Sequence, residues 1–193
     1  VGSTPPLENL DDVYAVQDLT TSELGADIRA WKTSPLDDGS AFAGPIYATK
    51  IFESGVKIPA SKFHVIDIEG EIAFRINRDL PARDQPYTRD DIQVSIAEMI
   101  PLIELVDTRM VDGMEQDATL KMADNQSNYG IVIGAASSKN WNDVNATTAE
   151  VHLTVNGQSL FSGTSSSPIA DMFNLIAGTA NSCAKYDRPV RAG

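Results

Sequence analysis

Between Ile68 and Ile76 apolar and polar residues alternate with a period of two. Ile68, Ile72, Phe74 and Ile76 fall on one side of an extended chain, and Glu69, Glu71, Ala73 and Arg75 on the other. The pattern predicts a strand within a longer extended stretch, 63–76. Further strands are predicted over 46–52, 129–135 and 151–155, the last running into Asn156-Gly157, a strong signal for a tight hairpin. Helical spacing marks three other segments. Residues 11–24 carry an inner stripe of Tyr14, Val16 and Leu19. Thr88 caps a second helix with Asp91 in its first turn, and Ile92, Ile96, Met99 and Ile100 recur so as to deliver the chain to Glu104. Ser167 and Pro168 open a third, with Ile169, Met172, Phe173 and Ile176 on one stripe. Segments 34–40 and 78–87 read as loops, and 1–10, Pro-rich and polar, as a flexible lead-in. Strands, a hairpin and a few helices predict an α+β fold rather than a doubly wound parallel sheet.

A chain of 193 residues, 42% hydrophobic, can bury one sizeable core, so a single domain is expected. The 27 acidic and 15 basic residues leave a formal charge of −12, which disfavours nucleic acid and anionic membrane surfaces as partners. The single cysteine, Cys183, excludes an internal disulfide and suits a reducing cytoplasm, with the thiol as a small helical packing residue. No apolar run approaches the ~20 residues that span a bilayer, so a soluble protein is expected.

Two patterns carry candidate chemistry. Glu69 and Glu71, on one strand face, either meet water or gather charge around a hard cation. Glu104 sits in the apolar run Met99-Ile100-Pro101-Leu102-Ile103-Glu104-Leu105-Val106, and an unpaired ionised acid there costs several kcal/mol. It needs a partner. Arg109 or Arg75 is one possibility, and a divalent ion shared with Glu69 and Glu71 is the other. His64 and His152 lack partners at triad spacing and read as structural or exposed.

The segment Ile68-Glu69-Gly70-Glu71-Ile72-Ala73-Phe74, then Arg78-Asp79-Leu80-Pro81, Ile103-Glu104-Leu105-Val106-Asp107-Thr108-Arg109 and Ala123-Asp124-Asn125 follow one another in an informative order. Together with Tyr14-Ala15-Val16-Gln17, Trp31-Lys32-Thr33, Asn156-Gly157 and the closing Arg188-Pro189-Val190-Arg191-Ala192-Gly193, the chain resembles the 2-keto-4-pentenoate hydratase and 4-oxalocrotonate decarboxylase group of the fumarylacetoacetate hydrolase superfamily. The resemblance implies a mixed β-roll with flanking helices, forming one catalytic domain over 1–193 that stops before the group's usual C-terminal strands. It also implies a Mg²⁺ or Mn²⁺ cofactor on Glu69, Glu71 and Glu104, a small 2-oxoacid substrate and a homo-oligomer. Lys32 would move protons or pair with the substrate carboxylate, a surface lysine being the alternative. Asp124, as a catalytic group, and Asn125 would orient substrate or water, a turn-forming pair being the alternative. Thr33 and Gln17 would contact substrate. The implied activity is hydration of 2-hydroxy-2,4-dienoate or 2-oxo-enoate intermediates of aromatic catabolism. Alternatives are 2-oxoacid decarboxylation, hydrolysis of a C–C bond in an acylpyruvate, or a non-catalytic partner subunit or small-acid binder.

Overall fold

The computed structural model describes residues 6–111 and 115–193, so the lead-in expected at 1–10 lies outside the described residues over positions 1–5. In chain order the elements are α1 (Leu10–Glu23), β1 (Ile28–Pro35), β2 (Ala41–Tyr47), β3 (Ile51–Glu53), β4 (Asp67–Ile76), α2 (Arg89–Gln93), β5 (Ile96–Val106), α3 (Ala118–Ala123), β6 (Asn128–Ile133), β7 (Glu150–Val155), β8 (Gln158–Thr164) and α4 (Met172–Lys185). The class is α+β, as the sequence predicts. Strands β1 and β2 pair, β7 and β8 pair, and the remaining strands form a sheet in the order β3-β6-β5-β4. The chain divides into two compact units, Val1–Thr33 with Phe42–Glu69 and Leu102–Gly134, and Ser34–Ala41 with Gly70–Pro101 and Ala135–Gly193.

In the first unit, Asn9 caps α1 by accepting the Asp12 N–H at 3.1 Å, and Asp11 and Asp12 stand at the positive end of the helix. Gly25, at φ +55°, ends it, because its N–H and that of Ala26 turn back onto Ser22 and Thr21 carbonyls in a left-handed cap. The inner face of α1 differs from the expected stripe: Val13, Tyr14 and Gln17 are buried, while Leu19 is 65% exposed. A polar residue holds the inner position because the Gln17 amide donates to the Met122 carbonyl at 2.8 Å. Tyr14 stacks on Phe42 at 5.7 Å and accepts the Ala43 N–H through its hydroxyl. The strand expected over 46–52 is interrupted, since a 3-10 turn at Ala48–Lys50 separates β2 from β3. Strand β1 had no clear periodic signal, and it carries Lys32.

Strand β6 runs parallel to β3 and antiparallel to β5, with Glu104 opposite Ile131 and Leu105 opposite Gly130. Gly130 is required there: a Cβ on it would lie 2.5 Å from the Lys50 carbonyl oxygen.

In the second unit, the Thr88 cap is confirmed, with Asp91 closing a reciprocal capping box. The helix expected to continue through Ile100 does not form. It ends at Gln93, and Ile96–Val106 is strand β5. Ile92, Ile96, Met99 and Ile100 satisfy a helical period, yet Ile96, Ile100, Leu102, Glu104 and Val106 fit a period of two, and with Met99 they are the buried positions of β5. Pairing with neighbouring strands decides between the two. The hairpin at Asn156-Gly157 forms as expected, both residues taking positive φ (51° and 79°). Helix α4 starts later than expected. Asp171 caps it, accepting from the N–H groups of Phe173 and Asn174, whereas Ser167 closes a local turn onto the Ile169 N–H. Phe173, Ala177, Ala180 and Cys183 line the buried face of α4. The segment after it is tied to the end of β4 and beyond, through Leu80 N–H to the Val190 carbonyl and Gly193 N–H to the Ile76 carbonyl.

Burial pushes the Cys183 thiol up to about 12. Because the folded value lies above the unfolded one, the thiol's contribution to stability is complete below pH about 9 and is lost as pH rises toward 12. The stability difference between wild type and Cys183→Ala should therefore narrow across that window in urea titrations. A constant difference would show that the thiol ionises as freely in the fold as outside it. Gly130→Ala should cost about 1–3 kcal/mol through overpacking. Gly70→Ala, between the two strand glutamates but with nothing within 4 Å of its added methyl, should stay within about 0.5 kcal/mol of wild type.

Candidate metal centre

Glu104 occupies an inward position of β5 and is 0% exposed. Lys32 on β1 donates through Nζ to both carboxylate oxygens, at 2.7 Å to Oε1 and 2.6 Å to Oε2. Asn128, at the start of β6, donates through Nδ2 to Oε1 at 2.7 Å. The partner of the buried acid is thus a lysine and not either of the arginines the sequence suggested. Arg75 pairs with Glu98 at 2.8 Å and Arg109 with Asp124 at 2.5 Å. Burial raises the Glu104 carboxyl above its usual range, and the Lys32 charge and its hydrogen bonds, with that of Asn128, offset part of the rise.

Glu69 and Glu71 lie two residues apart on β4, as the alternation predicts. A carboxylate oxygen from each of Glu69, Glu71 and Glu104 lies within 4.8 Å of those of the other two. At that separation each pair of ionised groups repels by about 3–4 kcal/mol at an effective dielectric of 20. Lys32 Nζ stands 3.8 Å from Glu69 Oε2 while bonded to Glu104, so one ammonium serves two of the three acids. Three carboxylates and one ammonium leave a formal charge of −2. The donor set is all hard oxygen, and the Glu69 side chain is 56% exposed, so one side stays open to water or a small acid. These features fit a hard divalent cation that keeps open positions for exchangeable ligands.

Asp124 and Asn125 lie in the turn between α3 and β6. Asp124 accepts from the Thr108 hydroxyl at 3.1 Å and from the Arg109 N–H and Nε, and Arg109 also donates to the Asp124 and Asn128 carbonyls. Asn125, Gln126 and Ser127 all take left-handed backbone angles (φ 53°, 53° and 58°), a strained run for residues with side chains. That turn brings Asn128 onto Glu104, so Asp124 acts as its anchor. Asn125 is buried beside the Gly44 backbone. Thr33 follows Lys32 on β1 and is half-buried, and Gln17 spends its amide on the Met122 carbonyl. The structure therefore gathers Glu69, Glu71, Glu104 and Lys32 at one point. Asn128 was missed, and its only sequence signal is a polar side chain at the first position of an apolar strand.

Asp107 is buried close by, and although burial raises its carboxyl, N–H groups of Val65, His64 and Thr108 outweigh that and hold it below the ordinary value. It fixes the loop that enters β4. His64 is 81% exposed and His152 is an exposed partner of the Ser162 hydroxyl, in line with non-catalytic roles. A cavity of about 460 Å³ lined by Ser40, Tyr87, Pro168, Asp171 and Asn181 contains none of the clustered acids. Two of its polar groups are already engaged: Asn181 exchanges two hydrogen bonds with the Tyr87 backbone, and Asp171 caps α4. Among the described residues no helix is long and apolar enough to cross a membrane.

The sequence profile described as Fumarylacetoacetate (FAA) hydrolase C-terminal matches residues 18–193. The chain is 24% identical over 201 residues to a protein named 2-keto-4-pentenoate hydratase from Paraburkholderia xenovorans (strain LB400), covering 98% of this chain and 73% of the relative. It is 26% identical over 209 residues to 2-oxo-hept-4-ene-1,7-dioate hydratase of Escherichia coli, covering 97% and 75%. Among solved structures it shares a fold with 4-oxalocrotonate decarboxylase from Pseudomonas putida G7, complexed with magnesium and adipate, at a TM-score of 0.77 and 21% identity over 96% of this chain and 73% of the other.

The Asn128 bond makes a stability claim. Asn128→Ala removes a donor from a buried carboxylate without adding bulk, and should cost about 1–3 kcal/mol in denaturant unfolding. Unchanged stability would show that the Glu104 Oε1 bond carries no weight in the fold.

Proposed function

Because the chain belongs to the fumarylacetoacetate hydrolase family, we propose that it is a divalent-metal-dependent lyase that adds water to a 2-hydroxy-2,4-dienoate or 2-oxo-enoate arising from aromatic breakdown. The observation that carries this reading is the convergence of Glu69, Glu71 and Glu104 beside Lys32. Two relatives named as hydratases support the reaction class, and the magnesium in the decarboxylase structure supports Mg²⁺ over a softer ion.

Glu69, Glu71 and Glu104 would hold the metal. Bound there, the ion supplies Lewis acidity to the 1-carboxylate and 2-oxo oxygens of a 2-oxoacid. The chain's own residues do the rest. Glu69, on the open side, leaves room for the substrate to approach. Lys32 presents an ammonium that can pair with the substrate carboxylate or carry a proton, its side chain being 14% exposed and so largely shielded from bulk water. Thr33, next on β1, is proposed as a substrate contact from the family resemblance alone. Asp124 keeps the turn closed on Arg109 and thereby positions Asn125, while Gln17 fixes α1 to the end of α3. The shielding favours proton transfer to substrate over exchange with solvent.

Purified protein incubated with Mg²⁺ and 2-hydroxypenta-2,4-dienoate should consume the dienol absorbance without releasing carbon dioxide. Carbon dioxide release from a 2-oxo-enedioate would instead assign decarboxylation. Glu71→Gln and Glu104→Gln should each lower metal affinity by more than the roughly 10–100-fold that outer partners of a metal site are worth, and turnover should fall with it. Full activity in either variant, or no metal binding by the wild type in calorimetry, removes the assignment.

A further inference from the structure

Glu104 is held at two oxygens by donors of different kinds. Oε1 accepts from both Lys32 and Asn128, at 2.7 Å each, while Oε2 accepts from Lys32 at 2.6 Å. The Lys32 ammonium also stands 3.8 Å from Glu69 Oε2. It therefore sits between two of the acids proposed to hold the metal. We infer that Lys32 and the divalent ion compete for Glu104: with an ion bound, the Lys32 ammonium would leave the carboxylate, while Asn128 stays on Oε1 and keeps it oriented.

The argument is one of charge and geometry. A Mg²⁺ ion binds carboxylate oxygen at about 2.0–2.1 Å, far closer than an ammonium. An ammonium held 2.6 Å from that same oxygen would face a doubly charged neighbour at close range in a largely buried site. Asn128 is neutral, and its N–H dipole on Oε1 suffers no comparable repulsion. Of the two donors only Lys32 has reason to leave, and only Lys32 has a long flexible stem on which to do so. The displaced ammonium is then free for the substrate carboxylate. Metal binding thus prepares the anion site, and the exchange orders the two events, metal first and substrate second.

This inference rests on the metal-site reading above, and the experiment separates the two. Wild type and Lys32→Met, both stripped with a chelator, are titrated with Mg²⁺ and with Mn²⁺ by calorimetry. Removing the competing cation should tighten binding at least about tenfold, whereas unchanged or weaker binding overturns the competition. Should Lys32→Met fail to fold, the wild type alone decides. Amine-acylation rates read by mass spectrometry should show Lys32 several-fold more reactive, relative to exposed Lys57, when metal saturates the protein. A rate that stays level or falls overturns the inference while leaving the metal site standing. No heat of binding in the wild type overturns both.

Discussion

A carboxylate with no exposure to water, set on the inward face of a strand, constrains everything near it. Glu104 cannot stay charged at that position without donors, and the donors come from two other strands, Lys32 on β1 and Asn128 on β6. Each requires the backbone to arrive in a particular way. The β5–β6 register, with Glu104 opposite Ile131, and the close approach at Gly130 bring β6 alongside. The left-handed turn from Asn125 to Ser127, locked by Arg109 and Asp124, then delivers Asn128 at the strand's first residue. Local strain in that turn is offset by the bonds it makes possible.

Such an arrangement is a poor way to gain stability. Buried ion pairs replaced by well-packed apolar residues of like volume are often as stable or more so, by about 1–4 kcal/mol. The surplus negative charge around Glu69, Glu71 and Glu104 adds repulsion that one lysine does not remove. Charge kept in place at this expense points to chemistry rather than to folding. The family to which the chain belongs gives that chemistry its direction.

How much of this was legible in the sequence depends on the range of each interaction. The Glu69–Glu71 pair, the Thr88 cap and the Asn156-Gly157 hairpin are local, set by strand alternation, a capping box and a two-residue turn, and all form as read. The need of Glu104 for a partner was equally plain, because burial penalises a lone charge whatever the fold. Which partner it finds was not, since Lys32 is 72 residues away and reaches it only through β1, a strand without clear alternation. Arg75 and Arg109, nearer in sequence, are spent on Glu98 and Asp124. The course of β5 was misread for a related reason. Its apolar positions fit two periods, and only the neighbouring strands select one. In α1 the expected Leu19 gave way to Gln17 because a distant carbonyl, that of Met122, offered the amide a bond.

The acids of this region also show why residue type alone does not assign a role. Asp107 and Glu104 are three residues apart and both buried, yet their carboxyls shift in opposite directions. Asp107 is surrounded by backbone N–H groups that fix its charge and tie down the loop ahead of β4, which is structural work. Asp124, held by an arginine and a hydroxyl, fixes a turn in the same manner. Glu104 has an ammonium on a flexible stem, a neutral amide and two more carboxylates for neighbours, so on our inference its charge is balanced by a group that can move away. An acid whose counter-charge is exchangeable is suited to accept a different cation, and one locked by the backbone is not. The difference lies in the partners, and it sets Glu104, the proposed metal ligand, apart from Asp107, which ties down a loop.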